Sequence, residues 1–260
     1  MRPITEWRSP SPEQFREDIF PTGKPAVLRG VAANWPLLQA CENWMALLSA
    51  HANSEPVDIL RANPSEGGRF HYSPDGQSLN FIRGRASLST FLAALREQES
   101  EERPYAMVVQ GMVADRYVPG FSATHSMPFV PEGTEPRLWV GNAAKVATHN
   151  DPVDNIAVVA AGRRKFTLFP PDAEDDLYMG PAHPTPAGTP VSMVHVTAPD
   201  LKRYPRFAQA IDVAQETELS PGDAIFIPRN WFHHVEALEP FNMLVNYWWG
   251  ERPGVQRGST

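Results

Sequence analysis

The sequence predicts a mainly β protein with flanking helices, a β-sandwich or jelly-roll barrel, on three observations. From about residue 105 to about residue 250 the chain reads as short apolar runs separated by Pro/Gly turns, the rhythm of antiparallel strands in a sandwich or barrel. Proline is abundant, 27 residues, and spread along the chain, which interrupts long helices and suits turns. The composition is that of an ordinary globular chain, 42% hydrophobic and 20% charged over 260 residues, with no break that would divide it into two domains.

Charge and cysteine content narrow the class. A formal net charge of -7 gives no general attraction to a phosphate backbone, and the one basic run, Arg163-Arg164-Lys165, is short. The single cysteine, Cys41, cannot form an internal disulfide, which fits a reducing compartment. Met1-Arg2-Pro3-Ile4-Thr5-Glu6-Trp7 lacks the apolar core of a signal peptide, and no apolar run approaches the ~20 residues needed to cross a bilayer. A cytoplasmic protein with no membrane segment is expected.

The elements follow in order. Ser11 caps a short amphipathic helix, Pro12 suits its first turn, and Phe15 and Ile19 share its buried face. Residues 24–30 form a brief strand closed by Gly30. Over 35–52, Trp35, Leu37, Leu38, Ala40, Trp44, Leu47 and Leu48 make a helical stripe, with both tryptophans as core anchors. Strands are expected at 57–61, 69–72 and 78–82, the first two around the Gly67-Gly68 turn. Ser87 or Ser89 opens a helix through Phe91 and Leu95 that ends in the solvated acidic run Glu97 to Glu102.

Residues 105–110 read as a strand and 111–136 as a loop. His125 within it is read as structural, with a substrate-covering loop as the functional alternative. A strand at 137–141 leads to Thr148-His149-Asn150-Asp151. Strands at 155–161 and 165–169 meet at Gly162 and stop at Pro170-Pro171. Residues 191–196 alternate like a strand, Pro199-Asp200 starts a short helix over 201–210, and 211–249 holds further strands separated by Pro/Gly turns. There is no internal repeat or low-complexity tract.

The chemistry concentrates at His149 and Asp151. One residue apart, at the entry of a strand, the two side chains point the same way and suit a divalent first-row metal. A His-x-Asp tripeptide is frequent by chance and serves equally well as a hydrogen-bonded surface pair. A second landmark, the strand after Ser220-Pro221-Gly222-Asp223, carries His233-His234. Two histidines and one carboxylate on one face of an ion make the facial triad of non-haem Fe(II) oxygenases, which leaves coordination positions open. Strand parity groups His233 with Trp231 and Val235, and His234 with Phe232 and Glu236. Each choice has one bulky aromatic neighbour, so the residues leave both open.

In their order, His149-Asn150-Asp151, Asn155, Gly162-Arg163-Arg164-Lys165-Phe166, Leu168-Phe169-Pro170-Pro171, Tyr204-Pro205-Arg206-Phe207, Pro221-Gly222-Asp223, Trp231-Phe232-His233-His234 and Val245-Asn246-Tyr247-Trp248 carry a resemblance. The chain resembles the JmjC and cupin-like family of Fe(II)- and 2-oxoglutarate-dependent oxygenases. The nearest likeness is to the branch of the asparaginyl hydroxylase that inhibits hypoxia-inducible factor. The resemblance implies one domain, with a double-stranded β-helix (jelly-roll, cupin-like) core over 104–250 and an N-terminal α/β flanking region over 1–103. It implies His149, Asp151 and His233 as iron ligands and a packing role for His234. It also implies 2-oxoglutarate and dioxygen as co-substrates, with decarboxylation to succinate driving oxidation of a substrate C–H bond.

The chain departs from the family pattern in two places. The lysine that binds the distal carboxylate of 2-oxoglutarate falls, by its spacing from Asn155, on Arg164. A guanidinium can hold that carboxylate through two parallel hydrogen bonds, each worth roughly 1.5 to 3 kcal/mol. Lys165 would face the other side of the strand, toward solvent. Where the family often has a threonine before the first ligand, this chain has Val146, so Thr148, Thr167 or Tyr105 becomes the candidate hydroxyl for the co-substrate. Asn155 and Asn246 match family positions near metal and co-substrate.

The expected activity is hydroxylation or demethylation of a protein side chain or a small molecule, with nucleic acid disfavoured by the acidic charge. Two alternatives remain: a metal cupin that does not use 2-oxoglutarate, for which Arg164 and Val146 speak, and a non-catalytic binding barrel, against which the complete triad speaks. Oligomeric state is open, since the sequence stops soon after Trp249, short of the C-terminal helices through which some relatives dimerise.

Overall fold

Runs rich in Val, Ile, Phe and Trp, cut by Pro/Gly turns, form fifteen strands among the described residues of the computed structural model, which are 1–40, 43–74 and 76–250. Cys41, on which the compartment expectation rests, lies outside them. The first eight strands are β1 (Arg2–Pro3), β2 (Thr5–Arg8), β3 (Ala26–Arg29), β4 (Pro56–Ala62), β5 (Arg69–Phe70), β6 (Phe81–Ser87), β7 (Ala106–Val113) and β8 (Pro136–Gly141). The rest are β9 (Lys145–Asn150), β10 (Asp154–Ala161), β11 (Arg164–Phe169), β12 (Gln215–Leu219), β13 (Ala224–Ile227), β14 (Phe232–Ala237) and β15 (Asn242–Trp249). One sheet runs β1-β12-β11-β14-β9-β5 and the other β2-β3-β13-β10-β15-β8-β7-β4-β6. Two large sheets with few helices make the fold mainly β, as in a jelly-roll core.

Burial explains the patterns. β10 is buried along its whole length because it has a layer on each face. Ala157 and Val159 meet Phe166, Ile225 and Leu244 between the sheets, while Ile156 and Val158 pack with Phe15, Trp35 and Leu88 under the N-terminal helices. A strand covered on both faces reads as a continuous apolar run, which is why Ile156 to Ala161 shows no alternation.

The helix starts are as expected. Ser11 and Gln14 form a capping box, and the wide turn Phe15–Ile19 leaves its two end residues 1% exposed. The Ser87 hydroxyl accepts from the Thr90 N–H at the start of Leu88–Glu97.

Four expectations need correction. The stripe over 35–52 is two helices, Pro36–Gln39 and Trp44–His51, although Trp35 and Trp44 are both buried. The 111–136 segment is not all loop. It contains the one-turn helices Ala114–Tyr117 and Phe121–Thr124, and Phe121, Met127 and Phe129 sink into the main core. His125 stacks on Phe121 at 4.1 Å, and its carbonyl accepts from the Tyr247 hydroxyl. Residues 191–196 form no strand beyond a bridge from Ser192 to Met179. The Ser192 hydroxyl turns the backbone locally, donating to the Leu177 carbonyl and accepting from the Val194 N–H. The helix expected over 201–210 is Phe207–Val213, because Pro205 disfavours helical backbone at Tyr204.

Gly162, between β10 and β11, has φ +69°, and an added Cβ would run into the Asn242 side chain and the Phe241 carbonyl. Gly162→Ala is expected to cost on the order of 2 kcal/mol or more, read as a fall in thermal midpoint. No helix among the described residues is long and apolar enough to cross a membrane.

Candidate metal centre

The site is built where β9 and β14 run antiparallel. Their register sets His149 directly opposite His233, and their rings lie 4.4 Å apart between centroids. Asp151 stands just past the end of β9, so the His-Asp pair sits at a strand exit rather than the expected entry. The turn that carries Asp151 is tied down from both sides. Its carbonyl accepts from the Asn230 N–H at 2.8 Å. Nearby Asp154, 4% exposed, accepts from the Arg229 N–H and guanidinium, each at 3.0 Å. Asp154 and Arg229 thus hold the Asp151 turn, a support that the sequence reading missed.

A bulge aims the first histidine. Between His149 and Val146 the β9 strand spends one more residue than β14 does between His233 and Val235. Val146 and His149 can therefore both line one cavity, together with His233 and Val235. His234 lies on the other face, beside Ala147 and His195, so of the two histidines it is His233 that faces His149 and Asp151.

The donor set fits a metal ion. His149 Nδ1 lies 2.8 Å from the Ala147 carbonyl, and His233 Nδ1 lies 3.2 Å from the Trp231 carbonyl. Donation from each Nδ1–H leaves each Nε2 with its lone pair facing the partner ligands. His233 Nε2 is 3.8 Å from an Asp151 carboxylate oxygen, and the ligand atoms of all three residues lie within 4.8 Å of one another. That spacing is close to what bonds of about 2.0 to 2.2 Å to one ion require. Burial and the neighbouring His149 push His233 down to about 4, against the upward pull of Asp151, so its ring is neutral at pH 7.

The cavity measures about 370 Å³ and runs from His149, Asp151 and His233 to Arg164. Arg164 is 7% exposed, its Nε has no hydrogen-bond partner, and burial pulls its guanidinium down to about 10. It has no ion pair among the described residues. Lys165, one residue on, faces outward as expected, pairing with Glu216 at 2.8 Å. Asn155 and Asn246 both line the cavity, and Asn246 donates to the Asn155 side-chain oxygen at 3.0 Å.

The three candidate hydroxyls are not in the cavity wall. Thr167 is on the face of β11 opposite Arg164 and Phe166, in register with His234. Thr148 is fully buried, with its hydroxyl unpartnered. Tyr105 lies outside, 38% exposed, with Arg61 over its ring at 4.8 Å. Gln110, Trp139 and Trp248 also line the cavity, and no motif in the sequence marks the first two. A second bulge sets Gln110 and Gly111 against the single residue Trp139, with Gly111 at φ +65°, and both Gln110 and Trp139 line the cavity. Trp248 meets Trp139 edge-on at 5.2 Å.

His234 is buried, with Nε2 3.8 Å from a Glu236 carboxylate oxygen, and burial pushes it down to about 4 against the upward pull of the Val146 backbone. Burial favours its neutral form, so its contribution is present above about pH 6.5 and is lost as pH falls toward 4. At pH 5 the loss from His234 is expected to be roughly 2 kcal/mol, read as a falling thermal midpoint between pH 7.5 and pH 5 that His234→Leu flattens.

The family described as "Cupin-like domain" matches residues 12–254. "Lysine-specific demethylase JMJ31" of Arabidopsis thaliana is 39% identical over 113 residues, covering 43% of this chain and 20% of that protein. "Lysine-specific demethylase 8" of Xenopus tropicalis is 28% identical over 255 residues, covering 95% of this chain and 52% of that protein. "tRNA wybutosine-synthesizing protein 5" of Danio rerio is 26% identical over 259 residues, covering 93% and 73% respectively. The chain thus spans from a fifth to about half the length of the demethylases it matches.

Proposed function

We propose, from the premise that this chain belongs to the cupin-like, JmjC-type family, that it is an Fe(II)- and 2-oxoglutarate-dependent oxygenase. The reading is carried by one observation. The free Nε2 atoms of His149 and His233 and the Asp151 carboxylate converge in the same cavity as the buried, unpaired Arg164. Iron and 2-oxoglutarate, when bound, supply oxidation of a substrate C–H bond coupled to decarboxylation to succinate.

The protein's own part is geometry and charge. The carbonyls of Ala147 and Trp231 hold Nδ1 of each histidine, which turns both Nε2 atoms toward the site. Arg164 is in register with Ala237, four residues along β14 from His233, or about 13 Å of strand. Its long side chain shortens that gap to suit a small diacid with one end at the metal. Val235 and Phe166 line the stretch between with apolar surface. Asn155 and Asn246 offer amides beside it.

Two relatives are named as demethylases of lysine and one as a tRNA-modifying protein. The net charge of -7 favours a protein side chain or small molecule over nucleic acid as substrate. The lone Cys41 fits a cytoplasmic setting. Apolar Val146 in the cavity wall, where a hydroxyl would serve the co-substrate, supports the second reading, a metal enzyme without 2-oxoglutarate.

Calorimetry with Mn(II) and 2-oxoglutarate, paired with succinate release under iron and ascorbate, separates the two. Metal-dependent 2-oxoglutarate binding and uncoupled succinate release are expected. Metal binding with neither would overturn the first reading in favour of the second.

A further inference from the structure

β6 is the long open edge of the nine-stranded sheet. It has seven residues, pairs only with β4 among the described residues, and leaves Ile82, Arg83, Gly84 and Arg85 exposed. The other sheet edges are short, two residues in β1 and β5 and four in β2, which is how sheets ordinarily blunt an edge. Side chains of β6 alternate between two faces. Arg83 and Arg85 are in register with Leu60 and Asp58, and Arg83, Leu60 and Asp58 line the cavity that holds the metal ligands. Ile82, 57% exposed, is on the other face, where it borders a hollow of about 270 Å³ with Arg61 and Tyr105.

Charge distinguishes the two arginines. Arg85 lies 3.2 Å from Asp58. Arg83 sits over the Phe81 ring at 5.6 Å and has no ion pair among the described residues. An uncompensated cation thus stands at the cavity mouth of a chain whose net charge is -7.

We propose that the open edge of β6 docks an extended peptide as an added strand, with acidic side chains toward Arg83 and Arg85 and apolar side chains toward Ile82. Main-chain hydrogen bonds along the edge supply affinity, and the alternation of the two faces supplies specificity. Gly84 leaves room for the partner, since a Cβ there would meet nothing within 4 Å. A second copy of the chain fits poorly. Antiparallel self-pairing centred on Gly84 sets Arg83 opposite Arg85 of the other copy, and directly opposed like charges destabilise a sheet. Docking itself needs neither metal nor co-substrate. Only the step that makes the docked segment the oxidised substrate rests on the oxygenase reading.

The test is fluorescence anisotropy of the full chain, without metal or 2-oxoglutarate, so that its failure is distinct from failure of the oxygenase reading. The probes are a labelled eight-residue peptide alternating Asp or Glu with Val, its Lys/Val counterpart, and two forms of the acidic peptide N-methylated at alternate amides, one for each edge. The acidic peptide is expected to bind, the basic one not, and one or both N-methylated forms to lose binding. Arg83→Glu should weaken the acidic peptide by about tenfold or more, while Arg83→Lys keeps it. Hydrogen exchange should slow over residues 81–87. Equal binding of acidic and basic peptides, indifference to both N-methylated forms, or slowed exchange only outside β6 overturns the proposal. So does sedimentation showing a stable dimer whose β6 amides are already protected.

Discussion

Asp151→Ala is expected to abolish metal-dependent chemistry while leaving the fold intact. Among the described residues the carboxylate is the one acidic donor facing the two imidazoles, and its backbone, not its side chain, is what Asn230 holds. Loss of a group that merely orients a ligand typically costs 10- to 100-fold in metal affinity, so loss of a ligand should cost about 100-fold or more. Wild-type protein should gain thermal stability with Mn(II) by mass action, and Asp151→Ala should gain none at the same concentration. Succinate release should fall to background. Without metal the two proteins should unfold at similar temperatures, because the Asp151 side chain makes no hydrogen bond among the described residues. A variant that still shows the full metal-induced shift would remove Asp151 from the site and leave the histidine pair needing another partner.

Much of this site is legible in the chain, and the limits have physical causes. The His149/Asp151 pair and the paired histidines at 233 and 234 follow from residue type and spacing alone. The choice between His233 and His234 does not, because each has an aromatic neighbour of the same parity. It is decided by which face of β14 meets the cavity, a long-range pairing with β9. Thr167 was excludable by the same logic: an odd separation from Arg164 puts it on the opposite face of one strand. Gln110 was less accessible. Its approach to the cavity depends on a bulge defined only by the strand it pairs with.

The N-terminal third shows the same division. Caps at Ser11 and Ser87 are local chemistry and appear where the residues put them. The partners of β4, β5 and β6 are not local. Residues 57–61 and 69–72 read as neighbours around a Gly-Gly turn, yet β4 pairs with β6 and β7, and β5 crosses to β9 in the other sheet. That crossing brings β5 beside the strand that carries His149. It also leaves β6 as an edge, a property no window of sequence contains.

Arg164 carries the second large effect, and its substitution moves two observables in opposite directions. A buried guanidinium without a counter-ion is costly. Since burial lowers it only to about 10, it remains protonated at neutral pH and the cost is not relieved by losing the proton. Arg164→Met should therefore raise the stability of the ligand-free protein, by about 1 to 4 kcal/mol if it follows the scale seen when buried ion pairs give way to apolar residues. The same substitution removes two charge-assisted hydrogen bonds to a distal carboxylate, each worth roughly 1.5 to 3 kcal/mol, so 2-oxoglutarate affinity should fall by about 100-fold or more. Arg164→Lys keeps the charge but not the paired donors and should fall between. The Mn(II)-induced thermal shift should be unchanged in both variants, because Arg164 is remote from the ligand atoms along β11. A more stable Arg164→Met protein that binds 2-oxoglutarate as tightly as wild type would show that the guanidinium serves another anion. Arg164 would then mark the point at which this chain parts from the co-substrate chemistry of its family.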